Sequence, residues 1–295
     1  MTDADAAVAR AIERATGAPV RILRRIPLGG GSINDTARIE TTAGTFVVKA
    51  HRHAPTSMFR AEADGLTALR ASGTTLVIPN VVAVGTDEPD RASFIVLEDL
   101  APGRRIPDFD EALGRGLAEL HRATAAQFGF HADNYCGATP QPNPWTAKWV
   151  AFYGESRLGY QLHLAVGAGL LSSTDRQRVE SLIARLAEWI EEPASGASLI
   201  HGDLWSGNLH VDPGGRPALI DPAAYYAHRE AELGMMTLFG GFSARVFEAY
   251  DEAFPLDPDW RDRNGIYQLY HLMNHLNLFG GGYHGQVMTV VKRFV

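Results

Sequence analysis

His201-Gly202-Asp203-Leu204-Trp205-Ser206-Gly207-Asn208, followed after a short apolar run and a Pro-Gly-Gly turn by Ile220-Asp221-Pro222, is the stretch on which the reading of the chain turns. Three oxygen-bearing side chains stand at fixed intervals: Asn208 lies five residues after Asp203, and Asp221 thirteen after Asn208. Phosphoryl transfer from ATP needs such a set. One carboxylate must orient an attacking hydroxyl and take its proton, while other oxygens hold a Mg2+ that bridges the phosphates. Asp203 is the candidate base, and Asn208 and Asp221 are the candidate metal ligands. The alternative is that all three only cap turns, as Asp and Asn commonly do. The upstream sequence weighs against it.

Working back from that stretch, Gly29-Gly30-Gly31-Ser32-Ile33-Asn34 separates two β-rich runs, and its glycines let backbone N–H groups approach phosphate oxygens. Glycine-rich hairpin turns are common without ligands, so the loop means little alone. Its place ahead of Lys49 gives it weight. Lys49 closes the apolar run Phe46-Val47-Val48, where an ammonium can meet the α- and β-phosphates, and Glu62 on the following helical stretch can hold it. Taken singly, a strand-end lysine and a helix glutamate read as solvated surface groups. The order glycine loop, Lys, Glu, then Asp-Asn-Asp favours function. No G-x-x-x-x-G-K-[ST] loop and no G-x-S-x-G elbow is present, which argues against P-loop NTPase and α/β-hydrolase readings. His271 and His275 are spaced as helical metal ligands can be. They lack the glutamate of an H-E-x-x-H hydrolase, and core or site-supporting roles are the preferred reading.

The organisation is that of an α+β protein. Residues 4–16 have helical spacing, RIL and TARIETTAGTFVVKAH read as strands with a turn at Thr-Ala-Gly, residues 56–71 as a helix, and LVIPNVVAVG and ASFIVLEDL as strands. Beyond Pro102 helical periodicity dominates, over 110–127, 145–165 and 174–192, the last ended by Pro193 and Gly196. A chain of 295 residues exceeds what one core usually serves. Two lobes are therefore expected: an N-terminal nucleotide-binding lobe over 1–100, an antiparallel sheet with one helix, and a larger, mainly helical catalytic and substrate-binding lobe over 101–295. A net charge of −7 with interspersed signs advertises no nucleic-acid face. The single cysteine, Cys136, excludes an intramolecular disulfide and fits a reducing compartment, so the cytoplasm is expected. No basic-then-apolar leader and no run of about 18 apolar residues points to export or to a membrane.

These residues together resemble the fructosamine (ketosamine) kinases, in the aminoglycoside-phosphotransferase branch of the protein-kinase-like superfamily. The resemblance runs over nearly the whole chain: PLGGGSIND at 27–35, LEDL at 97–100, Asn134 and GATPQPNPW at 137–145 on to Trp149 and Phe152, HGDLWSGN at 201–208, and IDPAAYYAHREAELGMMTLFGGF at 220–242. The H-G-D-x-x-x-x-N pattern is shared with aminoglycoside, choline and homoserine kinases, whereas Trp205 and the Pro-Gln-x-Asn-x-Trp stretch are more particular. The resemblance implies a two-lobed protein-kinase-like fold, ATP and Mg2+ as cofactors, Asp203 as base, Asn208 and Asp221 as Mg2+ ligands, and Lys49 as phosphate contact paired with Glu62. It further implies a hinge at which Glu98 and Leu100 offer backbone hydrogen bonds to adenine, between walls such as Val47 and Ile220. Trp205 either lies against the sugar-derived substrate or is buried beneath the loop. Ser32 stands where some relatives carry cysteine, so thiol control from that loop is not expected, and a monomer or weak dimer is. The implied reaction is phosphorylation of the 3-hydroxyl of fructosamines or ribulosamines, free or on glycated proteins, as in protein deglycation. A kinase of another small alcohol and a catalytically silent nucleotide binder are the competing readings.

Overall fold

A computed structural model describes residues 3–29, 35–52, 54–55, 57–87 and 92–295. Helix α1 (Asp3–Thr16) gathers Ala7, Val8, Ala11 and Ile12 on one face, as its 3.6-residue spacing requires. An antiparallel sheet follows, of β1 (Ile22–Pro27), β2 (Asp35–Thr41), β3 (Gly44–His51), β4 (Val81–Asp87) and β5 (Ala92–Glu98), in the order β1-β2-β3-β5-β4, with helix α2 (Ser57–Ala71) inserted between β3 and β4. The β2–β3 connection is the anticipated Thr-Ala-Gly turn, with Gly44 at φ 125 and the Thr41 hydroxyl donating to its carbonyl at 2.8 Å.

Alternation along β5 divides the sheet between two cores. Phe94 and Val96 join Ile39 and Val48 beneath α1 in a small cluster. Ile95 and Leu97 face the other way, toward Phe59, Leu66 and Leu69 of α2, and that cluster continues without a break into Leu113 and Leu117 of the C-terminal region. Helix α2 therefore belongs by packing to the larger core, although sequence order places it among the strands.

The C-terminal region runs through α3 (Phe109–His121), β6 (Thr124–Ala125), a hairpin of β7 (Asn134–Cys136) and β8 (Thr139–Gln141), α4 (Trp149–Phe152) continued by a π-helical stretch into α5 (Tyr160–Gly167), and α6 (Ser173–Ala184). Then come β9 (Ala197–Ile200), β10 (Leu209–Val211), β11 (Pro217–Leu219), β12 (Tyr225–Ala227), α7 (Glu230–Leu238), α8 (Ala244–Ala253), α9 (Trp260–Phe279) and α10 (His284–Arg293). Three helices are shorter than their periodicity suggests. Helix α3 stops at His121 because Thr124 and Ala125 pair with β9. The next starts at Trp149 because Phe128 and Thr146 exchange backbone hydrogen bonds at 2.9 Å in both directions. Helix α6 ends at Ala184, and only a 3-10 turn over 186–188 follows. Among the described residues, no helix is long and apolar enough to cross a membrane.

What positions the site is the β10–β11 hairpin, gripped from two sides. Val77 donates to the Pro217 carbonyl at 3.0 Å and accepts from Leu219 at 2.9 Å, while Gly103 donates to the Val211 carbonyl at 3.0 Å and Ile106 to that of Gly215 at 3.1 Å. The approach at Gly103 is so close that a Cβ there would sit 1.9 Å from the Asp212 carbonyl oxygen. Gly103→Ala is expected to destabilise the protein by about 1–3 kcal/mol through this overpacking. Gly167→Ala, where an added Cβ meets nothing within 4 Å, is expected to be neutral or slightly stabilising. Urea midpoints of the two variants against the parent check the contrast.

Candidate active site

Lys49 lies on β3 between Thr36 of β2 and Ile95 of β5, and its buried ammonium reaches away from the sheet. Its Nζ stands 2.6 Å from Glu62 Oε1 on α2 and also donates to Asp221 Oδ1. Burial alone would depress the Lys49 pKa, but the two carboxylates outweigh it and hold the ammonium above its ordinary value. Burial pushes Glu62 up and Lys49 pulls it back. An ionised pair is the state the 2.6 Å contact supports, because a neutral carboxyl would leave the cation with a weaker partner.

Asp221 occupies the left-handed region at φ 58, alone among the described non-glycine residues. Asp tolerates that region better than most side chains, at a cost of order 1 kcal/mol. The turn aims its carboxylate into the cleft. One hairpin brings Asn208 beside it: Leu209 pairs with Leu219, and the Ile220 amide donates to the Asn208 carbonyl at 3.1 Å. Asn208 spends its amide hydrogens on Asp203, at 2.8 Å to the carbonyl and 3.4 Å to Oδ2, which leaves Oδ1 without a protein partner among the described residues. Asp221 Oδ2 is likewise unpartnered there. These are hard oxygens facing one cleft, the donor type that Mg2+ takes, so the residues present fit such an ion.

His201 locks the two loops together. Its ring Nε2 meets the Ile220 carbonyl at 2.9 Å and its Nδ1 accepts from the Asp203 amide at 3.3 Å. This fixes the tautomer, and burial lowers the pKa so that the ring stays neutral. Asp203 itself is pushed well above the carboxylate range, first by burial and then by the charges of Glu232 and Asp221.

Two cavities meet at this loop. One, of about 390 Å³, lies between sheet and hairpin and is bounded by Gly29, Val47, Lys49, Glu98, Leu100, Asn208, Ile220 and Asp221. The other, of about 440 Å³, holds Asp203 against Cys136, Phe239, His275 and Phe279. Trp205 borders both. Its indole covers Gly207, where a Cβ would meet the ring at 2.2 Å, yet 39% of the residue is exposed. The indole is therefore partly open to solvent and is not buried under the loop. At the presumed hinge the Glu98 amide already donates to Asn80 at 2.9 Å, whereas the Leu100 amide has no partner among the described residues. Leu100 can thus offer a donor and Glu98 cannot. Gly30, Gly31 and Ser32 lie outside the described residues.

Comparison with known proteins gives one consistent result. The family described as fructosamine kinase matches residues 4–295. A probable ketoamine kinase from Synechocystis is 39% identical over 97% of this chain and 95% of its own, and a chloroplastic protein-ribulosamine 3-kinase from Arabidopsis thaliana is 39% identical over 95% and 85%. The crystal structure of a candidate fructosamine-3-kinase from Thermobifida fusca superposes with a TM-score of 0.86 at 32% identity, over 99% of this chain and 98% of that one. An aminoglycoside phosphotransferase bound to AMP-PNP and hygromycin B shares the fold alone, with a TM-score of 0.63 at 15% identity over 97% and 98% of the chains.

Arg38 and Glu232 of the site were not singled out by sequence, whereas Asn134, Gln141 and Asn143 stood out only as part of the stretch that carries the family resemblance. The Arg38 guanidinium clamps Asp99 at 2.8 and 3.1 Å, tying β2 to the segment after β5. Asn134, Gln141 and Asn143 form a buried set, joined by bonds of 2.7 and 2.8 Å, that holds the Ala223 and Ala224 carbonyls. Glu232 is the most consequential. Fully buried on α7, it accepts from the His201 amide at 2.5 Å and the Gly202 amide at 3.1 Å, and so anchors the backbone that carries Asp203. The signal was a glutamate inside the apolar run Ala-Glu-Leu-Gly-Met-Met, where a solvated face was not available. Glu232→Gln keeps the shape but turns an amide N–H toward one of the two backbone donors. It is expected to cost about 1–3 kcal/mol of stability and to lower turnover more than ATP affinity, as thermal unfolding and nucleotide titration will check.

Proposed function

Because the chain belongs to the fructosamine kinase family, we propose that it is an ATP-dependent ketosamine kinase that phosphorylates the sugar 3-hydroxyl of fructosamines or ribulosamines. The observation that supports this reading is that Asp203 lines one cavity beside Trp205 while Lys49, Asn208 and Asp221 line the other. In this reading residues 1–100 supply most of the nucleotide cleft, and 101–295 supply the base and the acceptor cavity.

The steps follow from what each group can do. Lys49, held by Glu62, contacts the α- and β-phosphates; Leu100 donates to the purine between Val47 and Ile220; Gly29 borders the same cavity. Asn208 and Asp221 would hold Mg2+, which supplies charge neutralisation at the β- and γ-phosphates when bound. Asp221 would serve both groups, since it pairs with Lys49 through Oδ1 and would have Oδ2 to offer such an ion. Asp203 accepts a hydrogen bond from the acceptor hydroxyl, orients its oxygen toward the γ-phosphorus and takes its proton as the P–O bond forms. Its raised pKa makes it a better base than an ordinary carboxylate. Trp205 presents a flat apolar surface and one N–H donor, which suits the face of a sugar. The acceptor is free or attached to a glycated protein, and the proposed setting is the cytoplasm, in keeping with a single buried cysteine.

Phosphate transfer from Mg-ATP to a synthetic ribulosamine or fructosamine of lysine is the direct test. Asp203→Asn is expected to lower kcat by about 10²–10⁴-fold, the usual worth of a general base, with ATP binding largely spared. Full activity in that variant sinks the base assignment, and transfer only to aminoglycosides or choline sinks the substrate assignment. The base must be unprotonated in the free enzyme. Activity should therefore be present above the folded pKa of Asp203, and kcat/KM should fall as pH drops through it, at a higher pH than an ordinary carboxylate would give.

A further inference from the structure

Cys136 ends β7, His271 lies on α9, and neither takes part in the transfer chemistry. Both are buried, and each places a donor atom within 4.8 Å of the other and of an Asp203 carboxylate oxygen. No other group of three such donors is found among the described residues. Cys136 and Asp203 both face the 440 Å³ cavity. His271 Nδ1 has no hydrogen-bond partner despite full burial of the atom, which is costly for a buried polar group. Burial, with His275 and Arg157 nearby, lowers that ring's pKa to about 3, so it is a neutral imidazole with a lone pair to offer.

A thiol sulfur, an imidazole nitrogen and a carboxylate oxygen are the donors of zinc sites, and three of them with one side open to a cavity is the arrangement that leaves the metal a fourth position. The hard oxygens of Asn208 and Asp221 differ in kind, so the two metal classes are sorted by donor type. Metal–ligand distances of about 2.0–2.3 Å put tetrahedral donors roughly 3.3–3.8 Å apart, so three groups within 4.8 Å of one another need to close by no more than about 1–1.5 Å.

We propose that Cys136, His271 and Asp203 form an inhibitory site for a divalent cation of the Zn2+ class, whose binding takes the base out of action. On binding, the Cys136 thiol loses its proton to solvent and becomes the thiolate ligand, Asp203 gives one oxygen to the metal, and no electrons change hands. The inhibitory half of this inference rests on the role proposed for Asp203; the binding half does not.

Zinc chloride is the probe. One equivalent should bind in competition with a chromophoric chelator, and Co2+ in its place should show thiolate-to-cobalt charge transfer in the near ultraviolet. Cys136→Ser and His271→Gln should each weaken binding about tenfold or more, since even outer partners of metal ligands contribute that much. In the phosphate-transfer assay at saturating Mg-ATP, the same variants should raise the Zn2+ concentration for half inhibition by a similar factor, and added acceptor, not added Mg-ATP, should relieve it. Unfolding midpoints without metal identify a variant that has merely lost its fold, and the other substitution then decides. Absence of stoichiometric binding, or binding indifferent to both substitutions, overturns the site. Binding without inhibition overturns the inhibitory role. An enzyme inactive with Mg-ATP on every acceptor before Zn2+ is added, yet binding added Zn2+ through Cys136, overturns the kinase reading and leaves the metal site standing.

Discussion

The buried ammonium of Lys49 ties together three pieces of chain far apart in sequence: β3, which carries it, α2 through Glu62, and the turn after β11 through Asp221. A cation removed from water is costly unless its partners are close and charged. Each partner therefore fixes the others. The sheet must present Lys49 at that height, α2 must pack with Glu62 inward, and the strained turn at Asp221 must hold its carboxylate in reach. The large core that α2 shares with α3 serves this end, because it keeps the helix from drifting with the sheet alone.

A second constraint works from beneath. The loop carrying Asp203 has few regular hydrogen bonds of its own, and its backbone donors are satisfied by Glu232 while the His201 ring spans to Ile220. The polar set around Asn134 and Gln141 then takes up the carbonyls of Ala223 and Ala224. The segment that carries Asp203 is thus irregular backbone made rigid by buried polar groups, each of which would be a liability if left unpaired.

Much of this was legible in the sequence, and the physical reason is local spacing. A tight hairpin fixes how far Asn208 stands from Asp221, and a loop of fixed length fixes Asp203 against Asn208, so the intervals survive as a pattern. The antiparallel sheet with its inserted helix was readable from alternation and from the Thr-Ala-Gly turn. What stayed hidden depends on partners remote in sequence. Nothing near Glu232 says that its carboxylate meets residues 201 and 202, nothing near Arg38 predicts Asp99, and the three-residue strands at Asn134–Cys136 and Thr139–Gln141 are too short to show a period. Helix ends were overrun for the same reason. The competition from strand pairing at Thr124 and Thr146 comes from elsewhere in the chain.

The glycines at 280, 281 and 282 close α9 beside the rim formed by Phe279 and Tyr283, and a side chain added at any of the three would point into open space. Descendants of this chain can therefore try bulk or charge at the mouth of the cavity that holds Asp203 without disturbing the packed core or Lys49, Asn208 and Asp221, save for the backbone preference at Gly280. Such a layout separates the part of the molecule free to diversify from the part that cannot, and it gives natural variation a route to new acceptors that leaves the nucleotide chemistry untouched.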